Sequence, residues 1–112
     1  MTAAGNYAMS LLEQNRFKEG KALLRKTLPV VRRVLGDTHE FAFRTRGIYA
    51  MALYQDPAAT LDDLHEAVDT LEDTERISRR LFGGAHPFVA NIEPTLRNAR
   101  AALHARETQS SR

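Results

Sequence analysis

Residues 17–39 read FKEGKALLRKTLPVVRRVLGDTH, and residues 64–86 read LHEAVDTLEDTERISRRLFGGAH, the same pattern displaced by 47 positions. Seven of the 23 aligned pairs are identical: Glu19/Glu66, Leu24/Leu71, Thr27/Thr74, Arg32/Arg79, Arg33/Arg80, Gly36/Gly83 and His39/His86. Others keep their character, among them Phe17/Leu64, Gly20/Ala67, Val30/Ile77, Val34/Leu81 and Leu35/Phe82. Upstream, Tyr7-Ala8-Met9-x-Leu11 returns as Tyr49-Ala50-Met51-x-Leu53 at a spacing of 42. Helical patterns that recur every ~20–50 residues mark a solenoid, where each unit buries its apolar face only by stacking on the next. The expected fold is therefore all-α, an α-solenoid of two helix pairs plus a C-terminal capping helix.

The offsets of 42 and 47 differ by five residues, which places an insertion between Leu53 and Leu64. It falls on Asp56-Pro57-Ala58-Ala59-Thr60 and an added turn of the following helix. Apolar periodicity predicts five helices. The first runs from about Ala3 to Gln14. The second spans Phe17 to Leu35, kinked or broken near Arg25 to Pro29, with Gly36 as a left-handed C-cap. The third runs from Glu40 to about Gln55, where Asp56-Pro57 stops it. The fourth opens at Thr60, whose Thr-Leu-Asp-Asp has the form of a capping box, and Gly83-Gly84 ends it. The fifth begins at Pro87 and runs to about Arg106, with Pro94 expected to kink it or delay its start. A single domain over residues 1–106 is expected, with units at about 1–38, 39–85 and 87–106, and with 107–112 as a frayed polar tail.

A chain of 112 residues has room for one small core, burying ~65% of its unfolded surface. Without cysteine there is no disulfide, no thiol nucleophile and no thiolate metal site. No basic region followed by an apolar run opens the sequence, and the stretch Ile48 to Tyr54 is too short to span a bilayer. A soluble cytoplasmic protein, without membrane contact, is the expectation. The net charge of +2 hides three blocks: +5 over residues 1–36, −7 over 37–78 and +4 over 79–112. In a helical stack such blocks become faces or ridges of one sign, and solvated outer faces are the simplest reading.

The run Asn6-Tyr7-Ala8…Leu11…Gln14-Asn15-Arg16-Phe17…Glu19-Gly20…Leu24…Thr27-Leu28…Val34-Leu35-Gly36-Asp37-Thr38-His39 resembles the long tetratricopeptide repeat of kinesin light chains and related scaffolds. The resemblance covers two repeats and a final helix, which opens with His86-Pro87. Three positions depart from the pattern: Glu40 stands for Pro, Arg46 for a large apolar residue, and Gly20 for Ala. The resemblance implies that the first helix of each pair lines a concave groove that grips extended peptides through Asn side chains. Carried over residue by residue, the groove would hold Asn6, Met9, Glu13, Arg44, Met51, Tyr54 and Gln55, with Asn91 and Asn98 added from the last helix. The counterpart of Asn6 in the second repeat is Ile48.

Tyr7, Leu11, Phe17, Leu24, Tyr49, Leu53, Leu64 and Leu71 are expected to fill the space between helices, with the small residues Ala8, Gly20, Ala50 and Ala67 allowing close approach. Chemistry-bearing motifs are scarce. His39 and His86 sit at equivalent junctions and read as structural cap or packing residues. His65-Glu66 lacks the second His four residues on that a zinc-protease helix needs, and reads as an exposed pair. Asp62-Asp63 and Glu72-Asp73 are consecutive, so they diverge around a helix instead of forming an acid/base couple, and read as solvated. No enzyme activity, cofactor or metal site is expected. The function expected is a non-catalytic scaffold whose groove takes an extended, acidic segment of a partner protein. The alternatives are nucleic-acid binding through thirteen Arg, clustered at Arg32-Arg33, Arg79-Arg80 and Arg97/Arg100, or a structural part of a longer array. The outer side of the first helix is expected to be covered by another copy, as a homodimer, or by a longer array.

Overall fold

The computed structural model describes residues 2–110, with side chains for 6–109. Among these residues there are five helices and no strand: α1 (Thr2–Glu13), α2 (Phe17–Leu35), α3 (Glu40–Tyr54), α4 (Leu61–Phe82) and α5 (Pro87–Ser110). Consecutive helices pack on each other, and α3 also touches α1 on one side and α5 on the other. The outer helices α2 and α4 do not pack directly on each other and meet through a Lys21–Asp63 ion pair at 4.0 Å. The result is a layer of α1, α3 and α5 backed by a layer of α2 and α4, the stacked arrangement of an all-α helical repeat.

Local sequence explains where each helix ends. α1 closes in a Schellman turn, with Asn15 N–H on Leu12 O at 3.0 Å and Arg16 N–H on Leu11 O at 2.8 Å. Asn15 takes φ 62° there, a value Asn tolerates better than other non-glycine residues. Gly36 and Gly83 have φ 93° and 87°, and each donates its N–H to the carbonyl four residues back. Their ψ of 157° is extended, so neither adopts the left-handed helical cap expected for Gly36. It is a region open essentially to glycine alone. Thr60 and Asp63 form a reciprocal capping box at the start of α4. The Thr60 N–H bond is the main reason the Asp63 carboxyl is held below its ordinary value.

Neither proline interrupts its helix. α2 is continuous through Pro29 and α5 starts at Pro87 and runs through Pro94, so the expected break and delayed start are absent. Both prolines are exposed, where water can satisfy the carbonyl that each leaves without a donor. α5 also continues to Ser110, past the expected end at Arg106, while the rest of the expected tail lies outside the described residues. Arg106 helps to hold that end in place, donating to the carbonyls of Ala59 and Pro57 and so clamping the inserted connector.

The core runs between the layers. Ala8, Leu24, Ala50, Ala67, Leu71 and Ala99 have no exposed surface, and Leu53 has 1%. A Cβ on Gly20 would lie 3.0 Å from the Leu12 side chain, so the small residue at this position does allow a close α1–α2 approach. Phe43, missing from the expected core, is its largest fully buried side chain. It packs edge-on against Phe82 at 5.7 Å and stacks with Phe88 at 6.2 Å. Tyr7, expected inside, is 56% exposed, and Leu81 near the end of α4 is 52% exposed. No helix of the described residues covers the side of α1 that carries Tyr7.

Four of the seven acids of α4 tie it to neighbouring helices, while Asp62 and Asp69 stay exposed, so the reading of solvated faces holds only in part. Tyr49 of α3 donates its hydroxyl to Glu66 of α4 at 2.7 Å and accepts from Arg25 of α2 at 3.2 Å, so one side chain joins three helices. Asp73 pairs with Arg46 of α3, Glu72 with Arg100 of α5, both at 2.7 Å, and Asp63 with Lys21 of α2 at 4.0 Å. Glu72 and Asp73 do diverge, as adjacent helical residues must, but each reaches a different neighbouring helix. His65 and Glu66 are exposed as expected.

Candidate functional site

The inner layer is concave. α1, α3 and α5 enclose a depression of about 350 Å³. α1 contributes Asn6 and Met9; α3 contributes Phe41, Arg44, Thr45, Gly47, Ile48 and Met51; α5 contributes Phe88, Asn91, Ile92 and Thr95. On both α3 and α5 the lining follows the i, i+3, i+4, i+7 spacing of one helix face, at 41, 44, 45, 48 and at 88, 91, 92, 95. These two sets are themselves 47 apart. The repeat that governs α2 and α4 therefore extends through His39/His86 into the inner helices.

The histidines position the start of each inner helix. His39 Nδ1 accepts the Phe41 N–H at 3.0 Å, and His86 Nδ1 accepts the Phe88 N–H at 3.1 Å. Both serve as caps, as their equivalent junctions suggested, and each orients a phenylalanine that lines the depression. His86 is further seated by the Phe82 ring at 4.8 Å and by Glu40, whose Oε1 lies 3.6 Å from Nε2. Glu40, at the position where the resembled family has Pro, thus ties the two junctions together.

Apolar side chains form the floor, while the polar groups that line it fall into two kinds. The hydroxyls of Thr45 and Thr95 donate to carbonyls of their own helices, Phe41 O at 2.8 Å and Asn91 O at 3.3 Å. They are occupied. The amides of Asn6 and Asn91 and the guanidinium of Arg44 have no partner among the described residues, and all three are exposed. Arg44 is the only charged residue of the lining. A few unpaired polar groups over an apolar floor are the general make-up of a concave binding site, where they fix orientation while the floor supplies desolvation.

Of the nine residues expected in the groove, the structure brings five together: Asn6, Met9, Arg44, Met51 and Asn91. The other four lie elsewhere. Glu13 ends α1 and Gln55 caps α3, both beyond the depression. Tyr54 packs against the core. Asn98 lies past Thr95, where the lining of α5 stops. Phe41, Thr45, Gly47, Ile48, Phe88, Ile92 and Thr95 were missed, although the extended 47-residue period could have found most of them.

Elsewhere the arginine clusters are partly neutralised. Arg32 pairs with Asp37 at 3.2 Å, Arg79 with Glu93 at 4.0 Å and Arg100 with Glu72 at 2.7 Å, so one member of each cluster is engaged. Among the described residues no group of three or more His, Asp or Glu side chains is placed to hold a metal, and no helix is long and apolar enough to cross a membrane.

Residues 1–40, which cover α1, α2 and the turn into α3, match the family model of the tetratricopeptide repeat. Repeats of that family generally mediate protein–protein interaction. No curated protein and no solved structure matches the chain.

Proposed function

We propose that the chain is a non-catalytic interaction scaffold of the kinesin light chain-like type, whose concave face binds an extended, acidic segment of a partner protein around one apolar or aromatic anchor. The observation that carries this reading is the unpartnered Arg44, set beside an apolar depression between three inner helices. Met9 and Met51 offer adaptable contacts to an anchoring side chain, while Asn6 and Asn91 can bond a peptide backbone on either side of it. A carboxylate next to the anchor would meet Arg44.

Two repeats give a small interface, so affinity on the order of micromolar is expected, weakening as salt rises. The test is fluorescence polarisation with labelled peptides that carry one tryptophan or leucine among aspartates and glutamates, compared with lysine-substituted versions of the same peptides. Binding of the acidic set alone, lost in Arg44→Glu, supports the reading. Equal binding of both sets, or full binding by Arg44→Glu, rejects it. The engaged arginines of the outer clusters give nucleic-acid binding no comparable support.

A further inference from the structure

Three of the four large hydrophobic residues exposed in the described structure belong to the α1–α2 pair: Tyr7 at 56%, Val30 at 40% and Val34 at 60%. They share one edge. Lys21 and Arg25, which reach Asp63 and Tyr49 on the neighbouring helices, lie about 140–180° round α2 from Val30 and Val34. The valines therefore face away from α3 and α4. Tyr7 lies about 160° round α1 from the groove residue Met9. The repeat-equivalent residue Tyr49 shows what this position does when covered: it is 7% exposed and bonded to the preceding α2. Leu23, partly buried against the core, continues the strip between Tyr7 and Val30.

The occupant of this edge can be read from the rest of the molecule. At the opposite end, α5 exposes no large hydrophobic among the described residues, so head-to-tail stacking would set an apolar strip against a polar face. The surface that matches the strip is the strip itself. Charge agrees: Glu19 and Arg33 flank it at opposite ends of α2, both exposed. Glu19 is held only by the exposed Arg16 at 2.6 Å, and Arg33 has no ion-pair partner among the described residues. In an antiparallel pairing of two α2 helices, Glu19 of each copy faces Arg33 of the other.

We infer that this edge joins two copies of the chain about a two-fold axis near Lys26, with Val30 of each copy against Ala22 and Leu23 of the other, Tyr7 beside them, Val34 over the Lys18 stem, and two Glu19–Arg33 pairs. The contact is isologous, so every substitution acts twice. Lys26, near the axis, opposes its own copy and is a repulsive pairing that the seam must offset. The seam is narrow, which sets a dissociation constant on the order of 10–100 μM. It is independent of what occupies the groove.

The experiment is sedimentation velocity over a concentration series that spans this range, with circular dichroism as the control for folding. Wild type should pass reversibly from monomer to dimer. Val30→Asp with Val34→Asp should remain monomeric with unchanged helicity. Glu19→Arg and Arg33→Glu should each weaken the dimer by about tenfold, because two attractive pairs become two repulsive ones. Combining them should restore wild-type association, which also keeps the test sound if the aspartate variant fails to fold. A wild type that stays monomeric, a dimer that survives both aspartates, or single charge reversals that the double reversal does not rescue would each overturn the inference.

Discussion

Removing Asp73 should destabilise this protein more than removing the arginine it pairs with, although Arg46 is the more deeply buried of the two. Arg46 is 8% exposed, and its guanidinium lies 2.7 Å from Asp73 Oδ2. Asp73 is 39% exposed and has a second cation in Arg76. In Asp73→Ala the buried cation loses its partner, which costs ~3–5 kcal/mol in a dry interior. Here Asp69 and Glu72 line the same polar depression and water reaches it, so a cost of about 1–3 kcal/mol is expected. In Arg46→Met nothing is stranded, since Asp73 keeps Arg76 and solvent while the methionine fills the space, and the change should stay within about 1 kcal/mol of wild type. Thermal unfolding followed by circular dichroism should show Asp73→Ala lowered by roughly 5–12 °C. The double variant should recover most of that loss. If Arg46→Met is the more damaging single change, or the double variant is no better than Asp73→Ala, the ion pair is not balanced as argued.

Other expectations follow from particular contacts. Thr60→Ala removes one half of the capping box and should cost about 1 kcal/mol in urea unfolding. The Asp63 carboxyl is held below its ordinary 3.8, mainly by the Thr60 backbone. A lowered folded value means stability that is present above the ordinary value and is lost as pH falls through the folded one. Asp63→Asn should therefore flatten the decline in urea midpoint on the acid side of that value, and an unchanged decline would count against the box. Gly83→Ala forces a side chain into a region almost closed to it and should cost about 1–3 kcal/mol, measured the same way. Asn6→Ala should weaken an acidic peptide about threefold to tenfold, as expected for the loss of one or two hydrogen bonds, with no change in melting temperature.

The repeat made the architecture readable. Equivalent glycines, arginines and histidines fixed the ends of α2 and α4, and the two offsets located the connector that Arg106 clamps. The groove was half readable, because Asn6, Met9, Arg44, Met51 and Asn91 lie on the inner helix faces that the resemblance to the tetratricopeptide repeat implied. Residues at helix ends, Glu13 and Gln55, were misplaced, since period alone does not say where along a helix its neighbours diverge. Phe43 was missed because a single aromatic carries no period, and its burial depends on Phe82 and Phe88 arriving from distant segments. Tyr7 matched a buried residue of the other repeat by sequence, but burial belongs to the covering helix and not to the residue. The fate of the acidic block turned on pairings between helices that no local pattern encodes.

The central claim is that the concave inner face, and not the outer helices, is the binding surface. Backbone amide NMR during titration with an acidic peptide bearing one aromatic anchor tests it most directly. The account predicts shifts concentrated at Met9, Arg44, Ile48, Met51, Phe88 and Asn91, abolished in Arg44→Glu. Shifts confined to α2 and α4, or a spectrum that an acidic and a basic peptide perturb alike, would contradict it.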